Sequence, residues 1–179
     1  YLNIAQNIVI DGKAILCNRG TPTDCFEGVL NKQPHGLPVL ISIIFFIFGV
    51  SENAASLFMI FISTFSIILI FCAAYIWFRS ERIALISALI LSLNPISALF
   101  APTISAESVF VFFILITILS LWFFLNEKDI YSIILFMSSL AFSVQIRPEA
   151  PLIIIPFLVF LVHEKIETKV LIGATLFLI

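Results

Sequence analysis

Residues 31 to 38 read Asn, Lys, Gln, Pro, His, Gly, Leu, Pro, and they mark where a polar head gives way to an almost unbroken apolar run. Pro34, Gly36 and Pro38 oppose a helix through this corner. Lys32 and His35 bring one fixed and one titratable cation to it. A basic, irregular strip at a membrane boundary suits an anionic headgroup or a phosphate. An ordinary interfacial loop with a snorkelling lysine fits the same residues.

Outward from this corner, composition sets the class. Of the 179 residues, 61% are hydrophobic and 11% charged, with a mean hydropathy of +1.19. Soluble domains have about 45–50% apolar and about 25% charged residues. The chain therefore reads as an integral membrane protein of the all-α class, a polytopic transmembrane helix bundle in contact with the lipid bilayer. A net charge of −2 carries no electrostatic footprint for a nucleic acid. The chain starts at Tyr1 and stops at Ile179 inside an apolar run, which is expected of a piece of a longer protein, truncated at the C-terminus.

Residues 1 to 53 are expected to form a polar outer loop carrying interfacial helices, and residues 54 to 179 the bundle. In residues 1 to 10, Leu2, Ala5 and Val9 recur at helical spacing beside Asn3, Gln6 and Asn7, and Asp11 with Gly12 reads as a stop. That pattern predicts a short amphipathic surface helix. Residues 18 to 28 read as a loop without periodicity, bracketed by Cys17 and Cys25, which would pair only if the loop faces an oxidising compartment. Cys72 lies in an apolar span and reads as a packing residue, and no cysteine spacing suggests a metal site.

Residues 37 to 50 are apolar but too few to span comfortably, which predicts an interfacial or re-entrant helix ending at Gly49. Spans are expected over residues 54 to 78, over 83 to 101 with a kink at Asn94 and Pro95, over 105 to 125, over 130 to 146 and over 151 to 162, with a sixth starting at Val170.

Counting crossings places the head, the 102 to 107 turn and the 147 to 149 turn on one side. Arg79, Arg82, Lys128, Lys165 and Lys169 crowd the short loops of the other, which the positive-inside tendency assigns to the cytoplasm. Lys32 with His35, Glu107, and Arg147 with Glu149 then share the extracytoplasmic face. Charges at span ends on one face are a candidate site. Glu107 has a second reading, as a carboxylate that complements its helix N-terminus behind a Ser105 cap. Arg147 closes one helix just before Pro148, well placed to start the next, so its guanidinium and free amides would meet the same anion. An ion pair of Arg147 with Glu149 is the simpler alternative.

These features together resemble the membrane-embedded GT-C glycosyltransferases: the surface helix at residues 1 to 10, the strip of Lys32, Gln33, Pro34, His35 and Gly36 before an apolar stretch ending Phe48, Gly49, the Ser105, Ala106, Glu107 start of a span, and the Arg147, Pro148, Glu149 turn. Within that group the chain is most similar to the dolichyl-phosphate-mannose protein mannosyltransferase and aminoarabinose transferase branch. The resemblance covers nearly the whole chain, and it is carried by the order and sidedness of the motifs.

The resemblance implies inverting transfer of a hexosyl or pentosyl group from a polyprenyl-phosphate sugar to a glycan, lipid or protein acceptor on the outer face. The polyprenyl-phosphate sugar enters as the donor substrate, and no cofactor is singled out. It assigns Lys32 and Arg147 to the donor phosphate, and Glu107, His35 and Glu149 to sugar or acceptor. The catalytic carboxylate is expected upstream of Tyr1, since neither Asp11 nor Asp24 matches its place. Gln33 and His35 depart from the two adjacent prolines that the family strip more often has. A secondary transporter or lipid flippase segment is the rival class, although such proteins place charges near the midplane and show repeats, and a structural membrane subunit is a third.

Overall fold

The computed structural model describes residues 1–12, 16–17, 25–26, 34–127, 129–147, 149 and 152. Lys32, the 18 to 24 loop, Lys128, Pro148, the expected fifth span apart from Leu152, the 163 to 169 loop and the start of the sixth span lie outside the described residues.

Among the described residues, the regular structure is helical apart from one minimal ladder. Helix α1, Leu2–Asp11, ends at Gly12, whose φ of 65° is the left-handed conformation that closes many helices. Its Ala5 is fully buried, with Leu2 and Val9 packed around the same cluster, the stripe that the spacing predicts. Strands β1, Leu16–Cys17, and β2, Cys25–Phe26, pair antiparallel with Cys17 opposite Cys25. This ladder of two residues per strand holds Cys17 and Cys25 across the loop expected between them and leaves the all-α class in place.

Helix α2 covers Gly36–Phe48. The prolines were expected to keep a helix out of the corner, yet α2 starts inside it and takes Pro38 into its first turn. Amides of a first turn have no partner within the helix, so a proline removes nothing there. Thirteen residues rise only about 20 Å against a hydrocarbon core of about 30 Å, in keeping with the short helix expected up to Gly49. Leu37, Ile41 and Phe45, four apart, form its buried face, while Ile43, Phe46, Ile47 and Phe48 are exposed.

Helix α3, Glu52–Phe78, and α6, Ala106–Glu127, are long and apolar enough to cross a membrane. The acidic residue in the first turn of each favours an early start against the positive helix end. Between them, α4, Glu81–Leu93, and α5, Pro95–Phe100, replace the single kinked span. The break has a local cause. Asn94 precedes a proline and is extended at ψ 113°, and its Oδ1 accepts the Ile96 amide at 3.0 Å, which caps α5 afresh. Helix α7 runs over Ile130–Ile146, the range expected.

Consecutive long helices pack as neighbours: α3 with α4, α3 with α6, and α6 with α7. One core cluster joins Ala5, Leu37, Ile41, Phe45, Ala55, Met59, Ile62, Val109 and Ile146, so α1 and α2 sit on the same end of α3, α6 and α7. A second cluster, Leu121, Phe124, Phe136 and Leu140, fastens α6 to α7 further along. Between the two, Thr117 and Ser139 hydrogen-bond across the helices at 3.0 Å, both buried. At the far end Arg79, left-handed at φ 52°, places its guanidinium over the Trp122 ring, 5.3 Å from the centroid.

A polar cleft where α6 begins and α7 ends

The start of α6 and the end of α7 meet at the end of the molecule covered by α1 and α2. Glu107 lies in the first turn of α6, and Arg147 is the C-cap of α7, its amide donating to the Ser143 carbonyl at 3.1 Å. Helix polarity favours each charge where it stands, an anion at an N-terminus and a cation at a C-terminus. Arg147 Nη2 donates to Glu107 Oε1 at 2.8 Å. Its Nε is 3.9 Å from Glu149 Oε2, too long for a hydrogen bond. One helical turn beyond Glu107, the Phe110 ring lies under the guanidinium, 5.8 Å from its carbon. The hydrogen bond and the ring contact of the guanidinium both come from α6.

A cleft of about 410 Å³ opens at this point, lined by Tyr1, Pro34, Ser105, Glu107, Arg147 and Glu149 among others. Beside it, α2 and α7 approach closely. A Cβ built on Gly36 would lie 2.9 Å from the Gln145 carbonyl oxygen and 3.0 Å from Ile146 Cγ1, so glycine lets the corner strip rest on the backbone two residues before Arg147.

Of the residues singled out in the sequence, Glu107, Arg147 and Glu149 come together, and Pro34 brings the corner strip to them. His35 is exposed, caps α2 through its backbone only, and does not line the cleft. Lys32 is outside the described residues. Two local expectations change. Ser105 Oγ is buried with no hydrogen-bond partner, so it does not cap α6. Arg147 keeps a loose ion pair with Glu149 and gains a closer partner in Glu107.

Sequence reasoning missed Tyr1 as a lining residue, Phe110 as the ring beneath the guanidinium, and Gly36 as the contact point. Phe110 stands three residues after Glu107, a spacing that puts both on one helix face, and that signal was available.

Arg147 and Glu107 are each more than one-third exposed, so their ion pair is reachable from solvent. Among the described residues Glu107 provides the guanidinium's one side-chain hydrogen bond, which leaves further N–H donors of a planar fork for a second acceptor. Glu107, Arg147 and Glu149 sum to one negative charge. An anion entering here needs either a second cation or a turn of Arg147 away from its carboxylate.

Comparison with known proteins places the chain in a family. The sequence model of the dolichyl-phosphate-mannose-protein mannosyltransferase family matches residues 32–179. No curated protein and no solved structure matches the chain. The family match takes in the corner strip, both long apolar helices and every charged residue of the cleft, and the chain belongs to the dolichyl-phosphate-mannose-protein mannosyltransferase family, whose members are membrane glycosyltransferases.

Proposed function

We propose that the protein is a multi-pass membrane enzyme that moves a sugar from a polyprenyl-phosphate donor to an acceptor on the extracytoplasmic face, by inverting displacement, with Arg147 holding the donor phosphate. The observation that carries this is the Arg147 guanidinium, oriented by Glu107 and Phe110 at a cleft of about 410 Å³. A fork held in place before the ligand arrives loses less freedom on binding. Its donors stabilise the charge that grows on the phosphate as the sugar leaves.

Lys32 is the second cation in this reading. It lies two residues before Pro34, which lines the cleft, and its charge would offset the excess of carboxylate. Glu107 takes two roles: it aims Arg147 and offers its other oxygen to a sugar or acceptor hydroxyl. Glu149, more exposed at 69%, would face the acceptor side. The general base that activates the acceptor hydroxyl belongs ahead of Tyr1 in the family pattern, and Tyr1 itself lines the cleft.

The test is a transfer assay with the full-length protein in nanodiscs, supplied with mannosyl and aminoarabinosyl polyprenyl phosphates. Release of the polyprenyl phosphate and appearance of a glycosylated acceptor support the reading. Movement of either lipid between leaflets without cleavage of the sugar–phosphate bond would replace it with a transporter.

A further inference from the structure

The pairing of β1 with β2 sets Cys17 directly opposite Cys25, as it sets Leu16 opposite Phe26. Spacing alone left the two cysteines open, because a separation of eight residues in sequence fits a hairpin and a wandering loop equally well. The register removes that freedom. Directly opposed residues of an antiparallel ladder share a face and have Cα atoms about 4.5–5.5 Å apart, inside the range of about 4.4–6.8 Å that a disulfide bridges.

The ladder is also too small to hold itself. It has two residues per strand, and even a longer isolated hairpin is marginal in water. A covalent link between the opposed positions supplies the missing constraint by closing residues 17 to 25 into a ring. The third cysteine does not compete for it. Cys72 lies in α3 ten residues beyond Ile62, the last α3 residue of the core cluster shared with α1 and α2, which places it about 15 Å further along the helix axis.

We propose that Cys17 and Cys25 form a disulfide on the extracytoplasmic side, holding β1 to β2 in the stretch between α1 and the corner strip. The proposal rests on the extracytoplasmic placement of the head and adds a modification site to it. The step is thiol–disulfide exchange. One thiolate attacks the disulfide of an oxidoreductase in that compartment, and the second displaces the oxidoreductase from the mixed disulfide, so that the two electrons and two protons leave on its dithiol. A reducing cytosol would keep the same two thiols apart.

The sequence makes the bridge easy to read. Trypsin cuts after Lys13, Arg19 and Lys32, which separates Cys17 from Cys25 unless a bridge joins residues 14 to 19 to residues 20 to 32. Cells carrying the full-length protein are treated with an impermeant maleimide, either intact or after the membrane is opened. The protein is then denatured without reductant in a second maleimide of different mass, digested and weighed. The expected result is one linked species carrying neither reagent, which reduction splits in two. In Cys17→Ser, Cys25 is expected to pass from unlabelled to labelled on denaturation, and a Cys25 labelled to the same extent in the wild type would overturn the bridge. Recovery of the two wild-type peptides apart, each carrying maleimide, would overturn it as well, as would linkage of either peptide to Cys72. Impermeant label taken up in intact cells would then leave the head outside, with only the bridge lost. Label taken up only once the membrane is opened would put the head in the cytoplasm and remove the bridge and the extracytoplasmic reading together.

Discussion

Arg147 Nη2 and Glu107 Oε1 stand 2.8 Å apart across forty residues of sequence, one at the end of α7 and the other at the start of α6. Each charge already suits its own helix terminus, so the pair joins two favourable placements and turns both side chains toward the same cleft.

If Glu107 aims the guanidinium, Glu107→Gln keeps the size and a hydrogen-bond acceptor but removes the charge. Transfer is expected to fall strongly. Stability should move little, by about 0.2–1 kcal/mol, because both partners are well exposed. Thermal unfolding in detergent beside the transfer rate checks this, and a loss of folded protein equal to the loss of rate would reduce Glu107 to a structural role.

Gly36 is the steric test of how the corner strip meets α7. Gly36→Ala introduces a Cβ 2.9 Å from a backbone oxygen, which cannot retreat as a flexible side chain does. A destabilisation of about 1–3 kcal/mol is expected, together with weaker donor binding, since the strip and Arg147 share that contact. Wild-type unfolding and binding in this variant would mean that the helices separate without consequence.

The Thr117–Ser139 bond lies well inside the α6–α7 seam, away from the cleft. Thr117→Val is expected to lower stability by about 0.6 kcal/mol, and at most about 2 kcal/mol, with donor affinity unchanged. A selective fall in donor affinity would show that the seam sets the position of Arg147.

Sidedness is tested by thiol labelling in a background lacking Cys17, Cys25 and Cys72. A cysteine at Thr103, exposed in the turn before α6, should react with an impermeant reagent added outside, whereas one at Glu81 should not. The reverse pattern would put the cleft in the cytoplasm.

The helices were legible where hydrophobic length and charged stops agree, as at α7, bounded by Asp129 and Arg147. The α4–α5 break was legible only as a kink, because whether Asn94 merely bends a helix or caps a new one depends on where its side chain points. The β1–β2 ladder carries two residues per strand, below what alternation can signal. For the site, crossing count brought Glu107 and Arg147 to one face, but not to each other. Pairing with Glu149 looked simplest because it is near in sequence. Helix packing between α6 and α7, set by Leu121, Phe124, Phe136 and Leu140 far from the charges, decided for Glu107. His35 was picked by type and position, and the start of α2 turns it to solvent.

The central claim is that Arg147 holds a lipid phosphate, and equilibrium binding of a polyprenyl phosphate to the full-length protein tests it most directly. Lysine keeps the charge and loses the fork. A charge-assisted hydrogen bond is worth about 1.5–3 kcal/mol, so Arg147→Lys should weaken binding by about ten- to a hundredfold, and Arg147→Ala by at least as much, with Glu149→Gln close to wild type. Unchanged affinity in both Arg147 variants, in protein that remains folded, would contradict the account.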